Sequence, residues 1–202
     1  DTTSTPGPAS LSLTILGTVA PGSALRRTGA RPGDGVWVTG TIGDGALGLL
    51  AATGRLADPD GFLARRYRLP EPRVALGQRL AGIAAAAMDV SDGLVQDLGH
   101  LCRGSGVSAT IEAAQVPLSP AARAAVAAEP ALLARCLAGG DDYELLLAVP
   151  AARAGALREA AAACGIAVTR IGAFAAGAAE VTAIGPDKRP LMLGAQGWSH
   201  FG

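Results

Sequence analysis

Asp89-Val90-Ser91-Asp92-Gly93-Leu94 sets two carboxylates and a hydroxyl side by side, directly after an apolar run at 83–88. Like charges this close repel, and the repulsion is relieved by a divalent cation, by protonation or by solvent. A second acidic knot, Gly139-Gly140-Asp141-Asp142-Tyr143-Glu144, precedes a second apolar run at 145–149. A third acid, Asp1, opens the sequence, followed by Thr2 and Thr3. Carboxylates beside a helix start suit a magnesium-bridged phosphate: the oxygens ligate a hard cation, and the free N–H groups of the helix end attract an anion. The competing reading makes Asp92 a plain N-cap for the helix that starts at Gly93. Asp141 and Asp142 form either a solvated turn or a close-approach loop that presents a carboxylate to a ligand. Trp198, in Gly197-Trp198-Ser199-His200-Phe201, stands out in a chain with 3% aromatics; a core plug and a stacking platform fit it equally.

Other chemistries find little support. Gly43-Asp44-Gly45-Ala46-Leu47-Gly48 matches G-x-G-x-x-G, but no second strand ends in an acid about 20 residues on, so a glycine-eased strand-to-helix turn is expected. No G-x-x-x-x-G-K-[ST], protein-kinase motif set or G-x-S-x-G is present. His100 and His200 lack ligand spacing to another His or Cys.

The elements that must position these groups are legible by pattern. Half of the 202 residues are hydrophobic and 17% are charged, which provides for a substantial, alanine-rich core. Formal net charge is zero, so there is no electrostatic case for nucleic acid or an anionic membrane surface. No apolar stretch reaches the ~18 residues of a membrane span, and no signal peptide is visible. Cys102, Cys136 and Cys164 are odd in number and widely spaced, as small hydrophobes in a reducing cytoplasm would be. Alternation over 10–19 predicts a half-buried strand. Strands are expected at 36–38, 83–88, 107–111, 143–149, 168–174, 180–184 and 190–193. Helices are expected at 46–53, 61–68, from Pro72 to about 83, at 93–103, from Ser119-Pro120, at 130–137 and at 151–164. Strict β-α alternation is missing, which favours an α+β domain, a mixed β-sheet packed with helices, over a doubly wound one. If 35–202 form that domain, the 10–19 strand belongs to a neighbouring one.

Together with Arg27-Thr28-Gly29-Ala30-Arg31-Pro32-Gly33-Asp34 and Asp97-Leu98-Gly99-His100, these stretches resemble the thiamine-monophosphate kinases. Those enzymes belong to the ATP-binding superfamily that also holds aminoimidazole ribonucleotide synthetase and selenophosphate synthetase. The resemblance runs the length of the chain in order, and it is carried most specifically by Ser91-Asp92-Gly93-Leu94 and Asp142-Tyr143-Glu144-Leu145. It implies transfer of phosphate from ATP to thiamine monophosphate, in line and with magnesium, by a cytoplasmic homodimer. By position it implies Asp1, Asp89 and Asp92 as magnesium ligands and Arg27 and Ser91 as ATP-phosphate contacts. It also implies Asp141 as the acid that holds the thiamine moiety and Trp198 as the aromatic beside it. It further implies that residues 1–34 are a remnant of an N-terminal ATP- and metal-binding domain with a linker, that 35–202 are the C-terminal α+β domain, and that this chain alone has little activity. The alternatives are a binding module for a phosphorylated ligand and a sister-family ATP-dependent synthetase.

Overall fold

The computed structural model describes residues 7–9 and 11–193. Six strands form one sheet: β1 (Gly35–Thr39), β2 (Ala86–Val90), β3 (Ser108–Glu112), β4 (Glu144–Val149), β5 (Val168–Ala175) and β6 (Val181–Ile184). Their spatial order is β2-β4-β1-β5-β3-β6. All neighbours are antiparallel except β3 and β6, so the sheet is mixed.

Both faces of the sheet are covered. Val36 and Val38 of β1 and Leu146 and Ala148 of β4 point to one face. There they pack against α4 (Leu94–Ser105) through Leu94, Leu98 and Leu101. Trp37, Leu147 and Val149 point to the other, against Leu157 and Ala161 of α7 (Ala154–Ala162). Burial on both sides is why β4 reads as an unbroken apolar run instead of an alternation. A satellite cluster joins α1 (Asp44–Ala52), α2 (Phe62–Arg68), α5 (Pro120–Ala128) and α6 (Leu132–Ala138) through Leu47, Leu63, Ala122 and Cys136. Ser119 caps α5 by accepting the Ala122 N–H at 3.1 Å, with Pro120 at the first helical position.

Four expectations need correction. Residues 11–20 form no strand, and Leu11, Leu13, Ile15 and Leu16 are all more than four-fifths exposed. Their alternation specifies two faces, but a strand also needs a partner to bond to, and among the described residues this segment pairs with none. The expected strand at 190–193 reduces to a single bridge between Ile184 and Pro190, since proline brings no N–H to a ladder. The helix expected from Pro72 shrinks to α3 (Val74–Gly77) and turns, with Gly82 at φ 75°. Strand β2 starts later than 83 and runs on through Asp89 to Val90, so the first acid of its knot lies inside the sheet. Among the described residues, no helix is long and apolar enough to cross a membrane.

Candidate functional site

The two acidic knots meet at one end of the sheet. Val90 at the end of β2 pairs with Glu144 at the start of β4, and Asp89 pairs with Leu145. Beyond the pairing, the Asp141 N–H donates to the Ser91 carbonyl at 2.9 Å and the Tyr143 N–H to the Val90 carbonyl at 2.8 Å. A Cβ on Gly140 would lie 2.0 Å from the Ser91 carbonyl oxygen, so the loops touch only because this residue is glycine. Asp141 (φ 68°) and Tyr143 (φ 52°) both occupy the left-handed region, which non-glycine residues visit rarely. Such outliers persist where surrounding structure dictates them.

The acids then divide into outward and inward sets. Asp89 is exposed, and Ser91, Asp92 and Asp141 are half-buried. The Tyr143 hydroxyl donates to Asp141 Oδ1 at 3.3 Å. Burial, then the negative charges of Asp141, Asp89 and Asp92, push the Tyr143 phenol above its ordinary range. One hydroxyl therefore feels all three outward acids. Sequence reasoning passed over Tyr143; an aromatic directly after two acids, in so aromatic-poor a chain, was the available signal.

The inward set is spent on the fold. Asp142 is buried, and it accepts from the Gly43 N–H at 2.7 Å and the Gly45 N–H at 2.9 Å. It caps α1 from across the structure, because Gly43 at the N-cap has no side chain to do so. A Cβ on Gly45 would meet the Asp141 carbonyl at 2.4 Å, so these glycines admit the 139–142 loop. Burial pushes the Asp142 carboxyl up to about 7, against the pull of its two N–H donors. Fully buried Glu144 accepts from Thr39 Oγ1 at 2.6 Å, Arg73 Nε at 2.7 Å and Arg66 Nη2 at 3.1 Å. Its hydrogen bond and charge raise the Arg73 guanidinium further.

Asp97 in the first turn of α4 is also buried. Its Oδ2 accepts three consecutive N–H groups, from Ser91 at 2.9 Å, Asp92 at 3.1 Å and Gly93 at 3.2 Å. One of the two competing readings of Asp92 falls here. Asp92 is not the N-cap; Gly93 is, at φ 125° and without a side-chain bond. The N–H groups of Ser91, Asp92 and Gly93, just ahead of the helix, are held by a carboxylate of the chain itself. Burial pushes the Asp97 carboxyl up to about 6, while its N–H partners pull it down.

Arg27 lies on a segment along the free edge of β2, where the Ala87 N–H donates to the Arg26 carbonyl at 2.9 Å. Burial lowers the affinity of His100 for a proton, as do the charges of Arg103 and Arg27, while Asp92 acts the other way. Arg27 and Asp92 thus flank one imidazole beside an open cleft of about 530 Å³, lined by Gln96, Gly99, His100 and Arg103. Asp92, Asp97 and His100 bring ligand atoms within 4.8 Å of one another. However, Arg103 Nη2 lies 3.0 Å from His100 Nδ1. A guanidinium can only donate, so in this contact Nδ1 is the acceptor. Asp89 and Asp92, the acids expected to ligate a hard cation, are in no ion pair among the described residues. Asp1 and Trp198 lie outside the described residues.

Comparison with known proteins bears on this geometry. The model of the family described as AIR synthase related protein, C-terminal domain, matches residues 31–184. A thiamine-monophosphate kinase of Caulobacter vibrioides is 45% identical over 99% of this chain and 57% of its own length. A crystal structure of thiamine-monophosphate kinase from Stenotrophomonas maltophilia superposes with a TM-score of 0.76 at 40% identity, over 86% of this chain and 56% of that one. AaThiL complexed with AMPPCP and TMP superposes with a TM-score of 0.70 at 32% identity, over 88% of this chain and 54% of that one. The chain spans somewhat over half the length of these relatives.

Proposed function

Starting from a chain that belongs to the AIR synthase related family by its C-terminal domain, and that matches thiamine-monophosphate kinases over nearly its whole length, we propose that it forms part of an enzyme converting thiamine monophosphate to thiamine diphosphate with ATP. The observation that carries this reading is the meeting of both acidic knots at one sheet end, on a fold shared with a relative that binds an ATP analogue and TMP.

In the reaction, the bond from the γ-phosphorus of ATP to its bridging oxygen breaks. A bond forms between that phosphorus and an oxygen of the substrate phosphate, and ADP leaves with the electron pair. The attacking oxygen is already anionic, so no side chain need take a proton. Positioning and charge neutralisation carry the catalysis. Asp89 and Asp92, with Asp1, would hold Mg²⁺, which when bound supplies positive charge to the phosphates. Arg27 and the Ser91 hydroxyl would contact the ATP phosphates. Asp141 would face the thiazolium cation, Tyr143 would fix the direction of its carboxylate, and Trp198 would stack on the substrate.

Residues 1–34 would belong with an N-terminal ATP- and metal-binding domain and its linker, and 35–202 form the C-terminal domain. The exposed apolar side chains of 11–19 would find strand partners within such a cytoplasmic homodimer. The test is direct: incubate this chain, and a polypeptide of the relatives' full length that contains it, with ATP, thiamine monophosphate and Mg²⁺, and measure thiamine diphosphate. The longer protein is expected to turn over at ~1 s⁻¹ or more, and the 202-residue chain far more slowly. Absence of product from the longer protein would refute the assignment.

A further inference from the structure

We infer that Asp97 is a positioning residue for cation binding: its buried carboxylate fixes the direction of the Asp89–Asp92 loop and makes it competent to bind a divalent cation. This rests on the reading of Asp89 and Asp92 as cation ligands. The anchor is firm. Asp97 is 1% exposed and sits on α4, whose Leu94, Leu98 and Leu101 are wholly buried in the main core. Its position is therefore set by core packing, not by the loop.

One oxygen of that carboxylate gathers the N–H groups of Ser91, Asp92 and Gly93, all within 3.2 Å. Three consecutive N–H groups converging on one point form an anion-binding nest. Elsewhere such nests hold phosphate; here the chain supplies its own anion. With the N–H groups turned inward to Asp97, the backbone path from 91 to 93 is fixed.

The lock reaches the second loop as well. The carbonyls of Val90 and Ser91 receive the N–H groups of Tyr143 and Asp141, so a loop oriented by Asp97 orients Asp141 in turn. Gly93 closes the arrangement: at φ 125° and with a virtual Cβ 2.3 Å from the Ala138 carbonyl, it admits no side chain. Carboxylates that orient metal ligands from behind are worth roughly 10–100-fold in affinity.

The experiment uses the 202-residue chain. Mn²⁺ affinity is read by the electron spin resonance signal of free Mn²⁺, and exchange of the three loop amides by ¹⁵N NMR. In Asp97→Asn, an oxygen remains in place with less charge. Exchange at Ser91, Asp92 and Gly93 is expected to quicken at least tenfold, and Mn²⁺ affinity to fall about 10–100-fold. The comparator Asp89→Asn should lose Mn²⁺ affinity with amide exchange unchanged, which separates a ligand from the residue that positions it. Mn²⁺ affinity within twofold of the native chain in Asp97→Asn overturns the inference alone. Failure of the native chain to bind Mn²⁺ overturns it together with the ligand reading of Asp89 and Asp92. If Asp97→Asn does not fold, the native exchange rates decide: slow exchange at all three amides upholds the lock, and exchange at unstructured-chain rates overturns it.

Discussion

Asp142→Ala should destabilise the chain in a pH-dependent way whose sign the structure fixes. The substitution strands the Gly43 and Gly45 N–H groups, which now reach the carboxylate at 2.7 and 2.9 Å in a buried setting. Each stranded buried donor costs ~1–3 kcal/mol, so the deficit at pH 5 should be about 2–6 kcal/mol. Asp142 is 2% exposed, and burial moves its carboxyl from 3.8 up to about 7. A carboxyl whose folded pKa lies above its unfolded one binds its proton more tightly when folded. Its contribution to stability is complete below pH 3.8 and is lost as pH rises through about 7. A tenfold change in proton affinity corresponds to ~1.4 kcal/mol, which makes the loss on the order of 4 kcal/mol. The deficit of Asp142→Ala should therefore shrink between pH 5 and pH 8. Urea unfolding of both proteins, followed by circular dichroism across that range, measures the difference and cancels the other titrating groups. A deficit that stays constant, or grows with pH, would refute the reasoning.

In a polypeptide of the relatives' full length, Asp89→Asn should lower activity at least tenfold at limiting Mg²⁺ and leave the thermal midpoint within about 2 °C, since an exposed charge among like charges adds little stability. An unchanged Mg²⁺ dependence would return Asp89 to a structural role. In the same protein, Asp141→Ala and Trp198→Ala should each raise KM for thiamine monophosphate by an amount corresponding to ~1–2 kcal/mol, with far less effect on KM for ATP. The reverse pattern would assign the pocket to the wrong ligand. Gly140→Ala drives a Cβ to 2.0 Å from the Ser91 carbonyl and should cost about 1–3 kcal/mol in unfolding free energy. A stability equal to the native chain would show that the loops need not touch.

The sheet was legible where burial dictates composition. Runs 143–149 and 168–174 correspond to β4 and β5 with small shifts; in β4 every residue from Leu145 to Val149 is apolar because both faces of an inner strand are covered, and in β5 Val168, Ile171, Ala173 and Phe174 carry the pattern. The stripe of α4 was equally plain, with Leu94, Leu98 and Leu101 all fully buried. Residues 10–19 carry a strand pattern too, yet pattern cannot supply an edge to bond to. The candidate site was legible in its residue types and not in their directions. Asp92 and Asp97 both stand near the start of α4, and spacing alone left Asp92 as either a cap or a cation ligand. The backbone path at Gly93, set by its close approach to the Ala138 carbonyl, gives the N–H groups to Asp97 instead. Adjacent acids in a loop obey no period, so nothing in the order Asp141-Asp142 says which one turns inward.

That division of labour separates the acids that hold the fold from those that face outward. Asp97, Asp142 and Glu144 all have donors in place, from three N–H groups, two N–H groups and two arginines with a threonine respectively. Asp89 and Asp92 have no cationic partner among the described residues, yet they share one sheet end with Asp141. These three acids sit on two loops joined by two backbone hydrogen bonds. On the proposed reading, a divalent cation would neutralise Asp89 and Asp92 there. The buried acids beneath hold the backbone of both loops through their N–H groups or those of the glycines they pack against. For this reason the inward substitutions should register first as stability and loop exchange, and the outward ones first as metal and substrate dependence.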